Sequence, residues 1–239
     1  MDFWLTDNFL HPEDTEELFT EQLYRLPVLY QYAPPSDFPS VRSLPAKENG
    51  FITFGCFNKP QKINDYVIAL WSDILASMPY SKLFLKYGGY FNDRALIKYW
   101  EDKFNQFGIT EDRLIFCGIS GSREEHLKHY QNIDIALDPF PFNGATTTFE
   151  ALWMGVPVIG IKGYNFNSRC GESINKNLNI EYLIAKNENA YQYLSDSIQS
   201  FYLNPELKNI FNKNYSESFE ITFSFEPVSY THLTLPTKA

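Results

Sequence analysis

The sequence predicts an α/β protein organised around a doubly wound parallel sheet. Three observations carry that expectation. From Phe51 onward, short apolar runs alternate with segments of helical period. Turn residues close the elements: Gly88-Gly89 a strand, and Gly108 and Gly155 the helical segments. Strands that alternate with helices build parallel βαβ units, with crossover helices covering both faces of the sheet.

The elements follow in order. Phe51 to Phe57 reads as a strand. Lys62 to Met78 places Ile63, Val67, Leu70, Trp71, Ile74 and Leu75 at helical spacing and stops before Pro79. Lys82 to Tyr87 is a second strand and Asp93 to Phe107 a helix. Arg113 to Cys117 is a third strand. Ser122 to Gln131 is a short helix with a capping-box arrangement, Ser at the cap and Glu125 three residues on. Ile133 to Leu137 is a fourth strand, Thr146 to Met154 a helix, and Val156 to Ile161 a fifth strand. Helical patterns follow near 168–178 and 188–203. Ligands of such sheets bind beyond the carboxyl ends of the strands. That singles out the loops 57–62, 87–93, 117–122, 138–146 and 161–168.

The flanks differ from this pattern. Residues 1–32 are acidic and aromatic, with a helix expected over Asp14–Leu26 on the strength of Asp14 or Thr15 as cap and Glu16 and Glu17 in its first turn. They are too few to bury a core alone and are expected to pack on something outside the chain. Residues 33–50, with Pro34, Pro35, Pro39 and Pro45, read as a linker. Residues 51–218 form the sheet-bearing lobe. Residues 219–239 have no helical period and read as a non-native or disordered tail.

Composition narrows the function. The chain has 239 residues, 44% of them hydrophobic and 17% aromatic, enough for one large domain. Its formal net charge of −9 opposes general nucleic-acid binding, which needs a basic surface to displace counterions. A phosphate-bearing small ligand remains compatible, since a few cations and backbone N–H groups suffice. Cys56, Cys117 and Cys170 show no CxxC or Cys/His metal spacing, which favours a reducing compartment. With no signal-peptide pattern and no long apolar run, a cytoplasmic protein outside the membrane is expected.

The richest loop runs Asp138-Pro-Phe-Pro-Phe-Asn-Gly-Ala-Thr-Thr-Thr into a helix. Asn143-Gly144 suits a sharp turn, and Gly144 allows close backbone approach. Thr146, Thr147 and Thr148 open the helix, where free N–H groups and the helix dipole favour a phosphate. The same residues also make a well-capped helix. Lys62 sits beyond the first strand at the expected start of a helix, a position where a phosphate counterion would explain a cation. Arg123 and His126 lie one turn apart after the third strand and could reach a ribose, phosphate or base. Glu150 lies one turn beyond Thr146 and Thr147 and could accept from ribose hydroxyls. Spacing alone reads as a nucleotide-binding rim.

The run LDPFPFNGATTTFEALWMGVPVIGIKG, Leu137 to Gly163, closely resembles the signature of the O-linked N-acetylglucosamine transferases and their SPINDLY-like relatives. FGCFNKPQKI (54–63) and RLIFCGISGSREEHLKHYQNIDIALD (113–138) extend the resemblance, and DFWLTD and TEQLYRLP resemble the end of that family's first catalytic lobe. Roughly residues 2–215 are covered. The resemblance implies an inverting glycosyltransferase of the two-lobed GT-B fold, with this chain as its Rossmann-like C-terminal lobe plus a remnant of the first. It implies a UDP-sugar donor, classically UDP-N-acetylglucosamine, and no metal, in keeping with the absence of an Asp-x-Asp motif.

By the same resemblance Lys62 matches the lysine that contacts the diphosphate, and Thr146 and Thr147 the paired threonines of the phosphate-binding helix. Asn143 and Gly144 belong to that loop. His126 matches the histidine at the uracil. Arg123 stands where a lysine is common near the ribose, and Glu150 replaces an aspartate that holds the ribose hydroxyls. Ala145 stands where animal members have histidine, which leaves the donor sugar open. Arg169 matches a family arginine whose role is structural or ligand-directed. The TPR repeats that bind a protein acceptor, and the acid/base groups of the first lobe, are not in this sequence. The chain therefore reads as a fragment inactive alone, whose acceptor is a protein Ser/Thr hydroxyl. A nucleotide-sugar-binding module without turnover, or a structural remnant, are the alternatives.

Overall fold

The computed structural model describes residues 2–35 and 38–191. The expected tail at 219–239 and most of the helix expected at 188–203 lie outside them; residues 188–191 are helical.

A six-stranded parallel sheet organises the lobe. Its strands are β3 (Thr53–Cys56), β4 (Lys82–Lys86), β5 (Leu114–Cys117), β6 (Ile135–Leu137), β7 (Val158–Ile161) and β8 (Ile184–Ala185), following a separate pair, β1 (Phe3–Thr6) and β2 (Gln22–Arg25). The spatial order is β5-β4-β3-β6-β7-β8. The chain builds outward from β3 to β5, then returns to lay β6 against the other side of β3. Phe54 therefore pairs with Leu83 on one side and Ile135 on the other. β3, β6 and β7 are buried at every position, the apolar run expected of a parallel sheet covered on both faces. The core gathers Phe54, Trp71, Ile74, Leu83, Leu85 and Ile159.

The connecting helices form where the capping chemistry allows. Asn64 caps α2 (Asp65–Ser77) by accepting from the Val67 N–H at 2.9 Å, and Asp93 caps α3 (Arg94–Asn105) through the Ala95 N–H at 2.8 Å. Ser122 and Glu125 complete the expected capping box of α4 (Arg123–Lys128), which continues into a 3-10 turn over His129–Asn132. α5 (Thr146–Trp153) ends at Gly155, whose φ of 76° requires a residue free of a Cβ penalty. α6 (Cys170–Asn177) follows β7.

Two expectations are corrected. Asp14–Leu26 is not a helix. Its last residues form β2, whose Gln22 and Leu26 N–H groups bond to the carbonyls of Asp2 and Thr6 along β1. Leu18 is 99% exposed, and pairing with β1 satisfies the backbone of the segment's last residues instead. Nor does this segment wait for an outside partner, because it docks on the lobe. Asp7 accepts from the N–H groups of Phe9, Leu10 and Leu29 and from the Ser173 hydroxyl of α6 at 2.6 Å. Trp4 and His11 pack their rings against Phe166, and Phe19 packs against both of them. Arg169 donates to the Leu10 carbonyl and pairs with Glu17, tying the amino-terminal segment to the lobe.

The 33–50 stretch also contains a short helix, α1 (Pro45–Asn49). Its Ala46 N–H donates to Asp134 Oδ1 at 2.9 Å, while Oδ2 accepts from Thr53 at 2.8 Å. One buried carboxylate thus joins α1, β3 and the entry to β6.

Candidate functional site

The sheet order reverses between β3 and β6, and the loops leaving those two strands meet there. A doubly wound sheet opens its ligand crevice at this point. Lys62 reaches across from the first loop: its Nζ donates to the Asn143 carbonyl at 2.6 Å, lies 3.4 Å from Asn58 Oδ1 and stands 4.1 Å above the Phe142 ring. Burial draws the Lys62 ammonium below the ordinary lysine range, and nearby Asp138 opposes that shift. Lys62 does not open α2. Pro60 starts a separate 3-10 turn that ends at Lys62, and the Asn64 cap begins the α-helix two residues later. The dipole argument for its charge therefore falls, and the reach into the crevice replaces it.

The facing wall is the loop 138–146 and the start of α5. Asn143 is buried, with its amide donating to the Pro139 carbonyl at 2.9 Å and its N–H to the Asn167 carbonyl. The Gly144 N–H turns inward to Asp138 Oδ1 at 2.7 Å. Gly144 is needed for internal fit, since a Cβ there would run into the Thr147 hydroxyl and Asn58. Thr147 donates to Asn58 Oδ1 at 3.0 Å, Thr146 is exposed, and Thr148 is buried rather than directed outward. No side chain caps the first turn of α5. Its leading N–H groups thus carry the positive end of the helix dipole to the crevice rim.

Asp138 is 3% exposed, and burial pushes its carboxyl up to about 7, against the pull of the Gly144 N–H and Lys62.

A second group lies beside the first. Glu150, only 6% exposed, places Oε2 at 3.1 Å from His126 Nε2 and 3.5 Å from the Tyr130 hydroxyl. Its Oε1 stands 3.8 Å from the exposed Arg123 guanidinium, which also reaches the Tyr32 hydroxyl at 3.4 Å. On the other side of the imidazole, Nδ1 is 2.9 Å from Lys86 Nζ. Lys62, Asn143, Gly144 and Thr147 therefore come together at one corner, with Thr146 at its rim; Arg123, His126 and Glu150 come together at another.

Sequence reasoning missed Asn58, Lys86, Tyr130 and Asp138 as members of these clusters. Lys86 had a usable signal, a charge closing the apolar strand KLFLK at the carboxyl edge of the sheet. Asn58 follows β3 directly within a loop already singled out. Tyr130 and Asp138 gave no signal beyond their neighbours.

A doubly wound lobe of this kind is one half of the two-lobed GT-B glycosyltransferases, and comparison with known proteins places the chain among them. Residues 40–223 match the model of glycosyl transferase family 41, and the chain belongs to that family. It is 34% identical over 201 residues to the probable UDP-N-acetylglucosamine–peptide N-acetylglucosaminyltransferase SPINDLY of Arabidopsis thaliana, covering 84% of this chain and 22% of that relative. The SPINDLY relative of Solanum lycopersicum is 32% identical over 220 residues, 90% of this chain and 24% of its own length. Among solved structures, an O-GlcNAc transferase of Thermobaculum terrenum superposes with a TM-score of 0.83 at 28% identity, over 94% of this chain and 42% of that one. The chain thus spans about a quarter or less of the length of these two curated relatives.

Proposed function

We propose that this chain carries the donor-binding lobe of an inverting glycosyltransferase that uses a UDP-sugar, UDP-N-acetylglucosamine by kinship, and glycosylates a protein Ser/Thr hydroxyl. The observation that carries the proposal is the convergence of Lys62 with the uncapped start of α5 across the switch-point crevice. Lys62 donates to a neutral carbonyl, that of Asn143. A diphosphate there would replace that bond with a charge-assisted one, roughly twice as strong. The same two elements would stabilise UDP as the leaving group, which is electrostatic catalysis by a preorganised cation and dipole.

In this reading Arg123, His126 and Glu150 receive the nucleoside, while Thr146 and Thr147 flank the phosphates. Acceptor binding and proton transfer are assigned to parts of the longer protein outside this chain. We place the protein in the cytoplasm, on the free thiols of Cys56, Cys117 and Cys170. Among the described residues, no helix is long and apolar enough to cross a membrane.

Calorimetric titration of the purified chain tests the proposal. Saturable binding of UDP, stronger than that of GDP or ADP, is expected. A folded chain that binds none of the three would overturn it.

A further inference from the structure

Lys86 ends β4 at the carboxyl edge of the sheet and is 2% exposed. A buried lysine ordinarily meets a carboxylate, because an unpaired buried charge is costly. The hydrogen-bond partner here is instead His126 Nδ1, at 2.9 Å. Such arrangements gather at functional sites more often than in plain cores.

The chemistry of the contact fixes a proton. An ammonium has three donors and no lone pair, so Nδ1 must be the acceptor. A second ring proton would set an N–H against that ammonium. The imidazole is therefore neutral and carries its proton on Nε2. Nε2 faces Glu150 Oε2 at 3.1 Å, and a carboxylate can only accept. One tautomer satisfies both contacts. The Tyr130 hydroxyl lies 3.5 Å from the same oxygen and 3.3 Å from the Thr147 carbonyl, and its single proton is shared between them. Phe57 closes the group from the sheet side, with Lys86 Nζ 5.9 Å from its ring and the His126 ring edge-on to it at 6.0 Å. Oε2 is thus held by the protein, while Oε1 points to the exposed Arg123.

We infer that Lys86 is a positioning residue: it fixes the His126 tautomer and, through it, turns Glu150 so that one carboxylate oxygen is held and the other is presented to the hydroxyls of a ribose. The ribose half of this inference rests on the nucleotide-donor reading above. The tautomer half does not, because it concerns the ligand-free protein.

Two measurements on the full chain test it, with Lys86→Met removing the donor at similar length and Lys86→Arg restoring one. In a ¹⁵N-histidine-labelled, ligand-free sample, with His126 assigned by its loss in His126→Gln, the wild type is expected to carry its ring proton on Nε2. Lys86→Met is expected to show an Nδ1–H form as well. By calorimetry, the wild type should prefer UDP over 2′-deoxy-UDP by about tenfold, the range of one hydrogen bond to a charged group. That ratio should fall to about twofold in Lys86→Met as the carboxylate loses its fixed orientation, and return in Lys86→Arg. A wild-type ring protonated on Nδ1 would overturn the inference. So would a Lys86→Met chain that melts normally and keeps the wild-type ratio. If the wild type binds no UDP, the ribose half falls together with the nucleotide reading, and the ligand-free spectrum still decides the Lys86–His126 half.

Discussion

Lys62 follows β3 and Lys86 ends the neighbouring β4, both lose part of their basicity to burial, and each reaches a different kind of partner. Lys62 binds a main-chain carbonyl and an aromatic face. Lys86 binds a ring nitrogen that leads on to a carboxylate. Around the Lys62 cation and the buried Asp138, the first corner is made from backbone and neutral side chains, so its shape is set once the loop folds. The second is a chain of titratable groups whose geometry depends on where each proton sits. The comparison separates two tasks. A phosphate needs charge and N–H groups in a fixed place, whereas selecting a diol needs one carboxylate oxygen directed and the other restrained.

Asp138 offers the strongest way to break that comparison, since it is the carboxylate inside the otherwise neutral corner. Its folded pKa of about 7 lies above the ordinary 3.8. Between those values the native state keeps a proton that the unfolded state has released. This group's contribution to stability is therefore fully present below about pH 4 and lost as pH rises through about 7, on the order of a few kcal/mol in all. Urea unfolding of Asp138→Asn, which keeps an acceptor for Gly144, should show that much less decline over the window. An unchanged decline would mean that Asp138 ionises in the fold as it does in the unfolded chain, and the contrast between the two corners would stand unbroken.

Next in size, Lys62→Ala should weaken UDP binding by about a hundredfold, the worth of a charge-assisted bond with its cation removed. Gly144→Ala should cost about 1–3 kcal/mol in thermal or urea unfolding, because its Cβ meets Thr147 and Asn58 in a loop with no slack. Replacing Thr146 and Thr147 together with Ala should reduce UDP affinity by about tenfold. The smallest effect is expected for Arg169→Ala. It should speed hydrogen exchange in residues 2–35 while leaving UDP affinity unchanged, which would separate docking of the amino-terminal segment from the crevice.

The sheet was readable in the sequence because parallel strands are buried on both faces and punctuated by turns. Ile133–Leu137 and Val156–Ile161 could hardly be anything else. The capping box at Ser122 was equally plain, being a local pattern with a local cause. Asp14–Leu26 misled because its caps and acidic residues suit a helix, while the deciding factor was the free edge of β1, eleven residues upstream of Asp14. Lys62 was picked out for a helix dipole that it does not touch, and its reach to Asn143, 81 residues on, depends on the strand order. Lys86 went unnoticed because a lysine at a strand end usually marks a solvated edge. Only the return of the chain from β5 to β6 puts α4 and α5 beside it. Local signals and loop position thus singled out Lys62, Arg123, His126 and Glu150, whereas Lys86 and Tyr130, whose place in the clusters comes from strand order, were not found.

That strand order carries one more consequence. The chain lays down one wall of the crevice, crosses the loop 118–121, where Ile119 is 70% exposed, and then lays down the other. A cut in that loop would leave Lys62 and Lys86 on one piece and His126, Thr147 and Glu150 on the other. On the proposed function neither piece would carry the whole site, so nucleotide binding and reassembly of the two halves would be thermodynamically linked. The ligand would then act as a clasp between them.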